Sequence, residues 1–157
     1  MRAFHFQKER EQTMMKAIVF YDDLCGVCNY WVNWILKNDK GKRFYFAALQ
    51  SDFESDFSKH LHYKFPPETI VVWSEETGFL IKSDALIYIF DTVKPTAIQV
   101  KLLKLFPKFL RDIGYSIFAF FRRYFRMKSC AIPSAEDRKR FLSKGLFQDF
   151  LNIQKID

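Results

Sequence analysis

The sequence predicts an α/β or α+β chain, with a sheet-bearing first part and a helical second part. Three observations carry that prediction. An apolar run, residues 16–21, leads directly into a short turn and an amphipathic segment. Strand-like runs then alternate with helix-period segments as far as Thr92. Beyond Lys94-Pro95 the pattern is helical.

Residues 16–21 form a continuous apolar run, as expected of a strand buried on both faces. Residues 29–38 follow as a helix: Val27, Tyr30, Trp31, Trp34 and Ile35 make one apolar stripe, and Asn29, Asn33 and Lys37 lie opposite. Trp31 sits in that stripe, so core packing is its expected role. Asn38-Asp39-Lys40-Gly41 ends the helix, with Gly41 as the stop. Residues 43–49 are the second strand, and so tight a strand–helix–strand unit implies parallel pairing with a right-handed crossover. Ser51 is the N-cap of a helix through Leu61, with Glu54 completing a capping box. His60 and His62 close that helix. Spaced i, i+2, they share no helix face, so ligand or catalytic roles are not expected of them.

Pro66-Pro67 interrupts the chain before a β-branched third strand, residues 68–74. Glu75-Glu76-Thr77-Gly78 reads as a hairpin turn, with Gly78 supplying a positive φ. Residues 79–82 are an antiparallel fourth strand. Ser83 or Asp84 is expected to cap a helix running to Thr92. The order is β-α-β-α-β-β-α. Past Lys94-Pro95, residues 100–106 form one short helix and Pro107 starts another. On it Ile113, Ile117, Phe120, Phe121 and Tyr124 keep helical spacing, ending in the basic cluster Arg122, Arg123 and Arg126. These helices are expected to pack over the sheet domain as a lid, or to lay a Phe-rich basic face on an anionic membrane. Cys130-Ala131-Ile132-Pro133 reads as a loop, and Ser134 caps a last helix.

The chemistry concentrates in Asp22-Asp23-Leu24-Cys25-Gly26-Val27-Cys28. A C-x-x-C opening a helix after a strand reads as a dithiol redox motif. Positions i and i+3 lie on one helix face, close enough for a disulfide. The helix N-terminus favours a thiolate at Cys25, and the carboxylates Asp22 and Asp23 oppose it. Cys25 is then the attacking thiolate, and Cys28, a turn deeper, resolves the mixed disulfide. Asp22 shapes the turn and is a candidate proton acceptor. C-x-x-C is also half of a zinc site, and two cysteines can simply be buried apolar groups. Only Cys130, His5, His60 and His62 remain as further soft ligands, and there is no second C-x-x-C. The motif calls for neither a metal nor an organic cofactor, because the dithiol itself carries the electrons.

The stretch from Phe20 to Cys28 resembles the signature of the DCC family of thiol-disulfide oxidoreductases, named for D-x-x-C-x-x-C. Further pieces match in order: Arg43-Phe44-Tyr45-Phe46-Ala47-Ala48-Leu49-Gln50-Ser51, then Lys82-Ser83-Asp84-Ala85-Leu86, then Cys130-Ala131-Ile132-Pro133 with Arg140-Phe141-Leu142. The resemblance covers residues 16–142. It implies a thioredoxin-like core over residues 15–93; the charged composition before it predicts a flexible extension over 1–14, and the helical pattern after it a helical extension over 94–157 packed on the core. It also implies thiol-disulfide exchange with a disulfide-containing protein or small molecule, an upstream reductant, and Cys130 as a candidate third thiol. In thioredoxin-like folds a cis-proline before the third strand faces the C-x-x-C, and Pro67 is the nearest candidate. Two departures stand out. Asp23 replaces the family's usual Gly, and Arg122-Arg123-Tyr124-Phe125-Arg126-Met127 replaces its Trp-Phe-Gly element.

Composition sets the outer limits. The chain has 157 residues, enough for one domain with an appendage, and is 49% hydrophobic with nineteen Phe, which points to an aromatic core. Three cysteines are too few for a secreted disulfide scaffold and fit a reducing cytoplasm. The net charge of +7 permits nucleic-acid or anionic-membrane contact. No nucleic-acid recognition motif accompanies it, so no nucleic-acid partner is expected, and peripheral membrane contact through the basic aromatic helix stays the alternative to the lid. Residues 1–13 lack the apolar core of a signal peptide, and Met14 or Met15 is a candidate start. No run approaches the length of a membrane span.

Overall fold

The computed structural model describes residues 17–67, 69–122 and 134–143. The 1–14 extension and Cys130 lie outside those residues, and the helix expected after Ser134 is a short 3-10 helix, Asp137–Arg140, whose Asp137 amide donates to the Ser134 hydroxyl at 3.1 Å. Four strands, β1 (Ala17–Tyr21), β2 (Phe44–Ala48), β3 (Val71–Ser74) and β4 (Gly78–Ile81), form one sheet in the order β2-β1-β3-β4. β1 pairs parallel with β2 and antiparallel with β3, and β3 pairs antiparallel with β4. Five helices accompany them: α1 (Gly26–Asn38), α2 (Asp52–Leu61), α3 (Lys82–Val93), α4 (Ile98–Leu105) and α5 (Lys108–Arg122). This mixed sheet with its β-α-β-α-β-β-α order is a thioredoxin-like fold.

The run in β1 is continuously apolar because both of its faces are covered. Ala17, Val19 and Tyr21 join a cluster with Val32 and Ile35 of α1 and Ala85 and Ile89 of α3. Ile18 and Phe20 point the other way, into a cluster with Phe53 and Phe57 of α2. Five phenylalanines, Phe20, Phe53, Phe57, Phe65 and Phe79, gather on that second face. Phe20 lies 4.5 Å from Phe65 and 5.2 Å from Phe57, ring centre to ring centre, and Tyr63 stacks on Phe79 at 3.6 Å.

Local details correct several expectations. The third strand begins at Val71, not at residue 68. α1 ends at Asn38, and the left-handed residue after it is Lys42, not Gly41. What stops α1 is Asp39. Its buried carboxylate accepts from the Phe44 amide at 3.0 Å and from Arg140 at 2.6 Å, and so folds the chain into β2. Arg140 in turn donates to the Phe44 carbonyl at 2.9 Å, and the Leu142 amide to the Phe46 carbonyl at 2.7 Å, which pins the distant C-terminal segment beside β2. Ser51 does cap α2, accepting from the Glu54 amide at 3.2 Å, and His62 closes α2 in a left-handed conformation. Gly78 takes the expected positive φ, 66°.

Ser83 and Asp84 do not cap α3, whose N-cap is Ile81. They face α5 instead. Ser83 donates to Asp112, and Asp84 pairs with Lys108 and, at 3.3 Å, with Arg111. The Tyr115 hydroxyl accepts the Ile70 amide proton at 3.0 Å. The inward stripe of α5 is therefore polar. Phe109, Ile113 and Ile117 face out, each more than half exposed.

Candidate active site

The motif stands at the carboxyl end of the central strand. β1 ends at Tyr21, and four residues later the chain enters α1 with Cys25 as its N-cap, in an extended conformation. Hydrogen bonds hold the connection. The Cys25 amide donates to the Asp22 carbonyl at 3.2 Å, and the Leu24 amide donates to the Asp22 carboxylate at 3.0 Å. Asp22 thus closes an Asx-type turn with its own side chain. The Asn29 side-chain amide reaches back to the Asp23 carbonyl at 2.7 Å, and the Cys25 carbonyl accepts the Asn29 amide at 3.0 Å. Asp23 is not among the residues with positive φ, so the turn needs no glycine there.

Neither Cys25 nor Cys28 is in a disulfide. Their exposure reverses the expected order. Cys25 is buried, at 9% exposure, and Cys28 is the more open of the two. The reason lies in the rotation of α1. Val32 and Ile35 are its buried positions, while Tyr30, expected in the apolar stripe, is 60% exposed. Counting back from Val32 and Ile35 by helical steps of three, four and seven returns Cys28 and Cys25, so both sit on the inward face. Cys28 lines an apolar cavity of about 200 Å³ between α1, α3 and α5, together with Trp31, Phe90, Tyr115 and Phe118. Trp31 packs edge-on against Trp34 and Phe90, at 5.7 and 5.4 Å.

The other expected site residues do not gather here. The Pro66–Pro67 bond is not cis, and Pro67 is exposed. This corrects the expectation of a cis-proline: the trans form is the default for X-Pro, and here the prolines lie in the loop ahead of the later-starting strand. Cys130 lies outside the described residues. Among those residues no group of three or more His, Cys, Asp or Glu side chains assembles that could hold a metal ion.

Two contributors escape a reading of the motif alone. Asn29 locks the turn from one residue beyond the second cysteine. Tyr115, from a helix distant in sequence, walls the cavity beside Cys28. For Asn29 the signal was local, an amide side chain in the first turn of a helix. For Tyr115 nothing short-range pointed to it.

The family model described as "DCC1-like thiol-disulfide oxidoreductase" matches residues 19–128, and the chain belongs to that family. It is 30% identical over 127 residues to a Bacillus subtilis (strain 168) protein named "Uncharacterized protein YuxK", covering 80% of this chain and 93% of that one. No solved structure gives a significant match.

Proposed function

We propose that the chain is a dithiol oxidoreductase of the protein-disulfide reductase type. The observation that supports this most directly is the placement of two thiols one helical turn apart at the N-terminus of α1, in a turn braced by Asp22 and Asn29. Cys25, the N-cap residue of α1, is the attacking thiol. Its sulfur attacks one sulfur of a substrate disulfide and expels the other as a thiolate. Cys28 then attacks the Cys25 sulfur, releases the second substrate thiol and leaves the Cys25–Cys28 disulfide. Two electrons pass to the substrate, and a dithiol or small-molecule thiol reductant restores the pair. The dithiol carries the electrons without a metal or organic cofactor, and a reductase direction suits a reducing cytoplasm.

The decisive measurement is a glutathione redox titration read by alkylation and mass, paired with trapping. The wild-type chain is expected to form one reversible intramolecular disulfide. Cys28→Ser is expected to accumulate a mixed disulfide with glutathione and Cys25→Ser is not. The opposite trapping pattern would make Cys28, on the cavity, the attacking thiol. Absence of any disulfide across the titration would end the redox reading.

Asp22 is proposed to act first through the turn. Asp22→Asn keeps an acceptor for the Leu24 amide and is expected to hold the exchange rate within about threefold, whereas Asp22→Ala loses about tenfold, the weight of one hydrogen bond to a charged group. Equal loss in both variants, with a changed pH–rate profile, would instead make the carboxylate a proton acceptor.

A further inference from the structure

The exposed apolar surface of this molecule is concentrated on one helical pair. Among the described residues fourteen large hydrophobic side chains are exposed, and twelve of them lie on α4, α5 and the short link between them. Scattered exposed hydrophobes need no explanation, but a contiguous set does. α5 turns its polar stripe inward and leaves Phe109, Ile113, Ile117 and Phe121 outside, at 63, 53, 54 and 54% exposure. α4 continues the face. Val100 is buried, whereas Ile98, Leu102 and Leu105 are 67, 55 and 80% exposed. The polar anchors that fix this orientation are Ser83, Asp84 and the Ile70 amide.

The same region is cationic. Residues 82–122 hold seven Lys or Arg against three Asp and no Glu. The three Asp are all paired, Asp84 with Lys108 and Arg111, Asp91 with Lys104 and Asp112 with Lys108, so the positive excess is carried by the other cations, among them Lys101, exposed on α4. Among the described residues no helix is long and apolar enough to cross a membrane.

We propose that α4 and α5 form a docking surface for an anionic membrane, lying in the plane of the interface with their apolar side chains among the lipids. Amphipathic helices with a cationic flank bind in this way, the apolar area supplying insertion and the charge selecting anionic headgroups. Charge complementarity selects this occupant over a second copy of the chain. A two-fold pairing through this face would set one net-positive surface against itself, whereas anionic headgroups oppose it with the complementary sign. The inference stands independently of the redox role of Cys25 and Cys28.

The test is co-sedimentation of the full chain with vesicles of phosphatidylcholine alone and of an equal mixture with phosphatidylglycerol. Binding to the anionic vesicles is expected to be about tenfold or more tighter than to the neutral ones, and to weaken as salt rises from about 0.1 to about 0.5 M. The double variant Ile113→Ser/Ile117→Ser is expected to lose about tenfold or more in binding, with an unchanged melting temperature. Lys101→Glu is expected to weaken binding to the anionic vesicles alone. Three results would overturn the proposal. The chain does not bind anionic vesicles. The double variant binds as well as wild type. Or the double variant melts lower and neither protein binds lipid, which would show the face to be covered within the chain. Concentration-dependent dimerisation in ultracentrifugation without lipid binding would assign the face to a second copy.

Discussion

Helices α1 and α5 are both amphipathic, and they use their amphipathicity in opposite ways. α1 turns Val32 and Ile35 into the core and leaves Tyr30 at the surface. α5 docks on α3 through Lys108, Arg111, Asp112 and Tyr115 and presents Phe109, Ile113, Ile117 and Phe121 outward. Periodicity identifies a helix and its apolar side. It does not say which side finds the rest of the protein. α1 lies against an apolar sheet and has no alternative, whereas α5 meets Ser83 and Asp84, which can be satisfied only by a polar stripe.

The strongest way to sharpen this contrast is at the buried end of α1. Asp39 is 1% and Arg140 4% exposed, and without Arg140 the buried carboxylate would keep only the Phe44 amide and the more open Arg43. Arg140→Ala is expected to cost about 3–5 kcal/mol in urea unfolding, with the C-terminal segment released from β2. A cost below about 1 kcal/mol would mean that Arg43, 3.2 Å from Asp39, suffices alone.

A matched pair of truncations comes next. Ile35→Ala on α1, at 2% exposure, is expected to destabilise by about 2–5 kcal/mol. Ile113→Ala on α5, at 53% exposure, is expected to change stability by no more than about 0.5 kcal/mol. Similar costs at the two sites would break the comparison, because Ile113 would then be covered.

The smallest effect concerns the α5 anchor. Burial works against the charge of Asp112, but the Ser83 hydrogen bond and the Lys108 charge outweigh it and hold the carboxyl below its ordinary range. A depressed carboxyl in the folded state contributes stability above its unfolded pKa, about 3.9, and loses it as pH falls through the folded value. Protection of the Ile70 amide against hydrogen exchange is therefore expected to fall in that acid range. Ser83→Ala is expected to lower it at neutral pH by about 1 kcal/mol of opening free energy and to shrink its acid dependence. Unaltered exchange in Ser83→Ala would show that Tyr115 alone holds the helix there.

Much of the site was legible because its determinants are short-range. The strand before the motif, the Asx turn at Asp22, the N-terminal position of Cys25 and the one-turn spacing to Cys28 all follow from the twelve residues 17–28. The relative burial of the two thiols was not legible. It depends on a rotation of α1 set by Val32 and Ile35 against the sheet. Ser83 and Asp84 read as capping residues because capping is their commonest local use, yet their partners come from a helix more than twenty residues away.

The sequence by itself determined where the strands and helices lie, how β1 is buried on both faces, and where the dithiol sits at a helix start. Those features rest on periodicity, turn chemistry and capping, which act over a few residues. Only the tertiary structure decided that Asp39 meets Arg140, that Tyr115 closes a cavity beside Cys28, and that α5 faces outward with its apolar side. Each of these depends on polar groups from distant segments finding one another, and a buried polar group takes whichever partner the fold brings within reach.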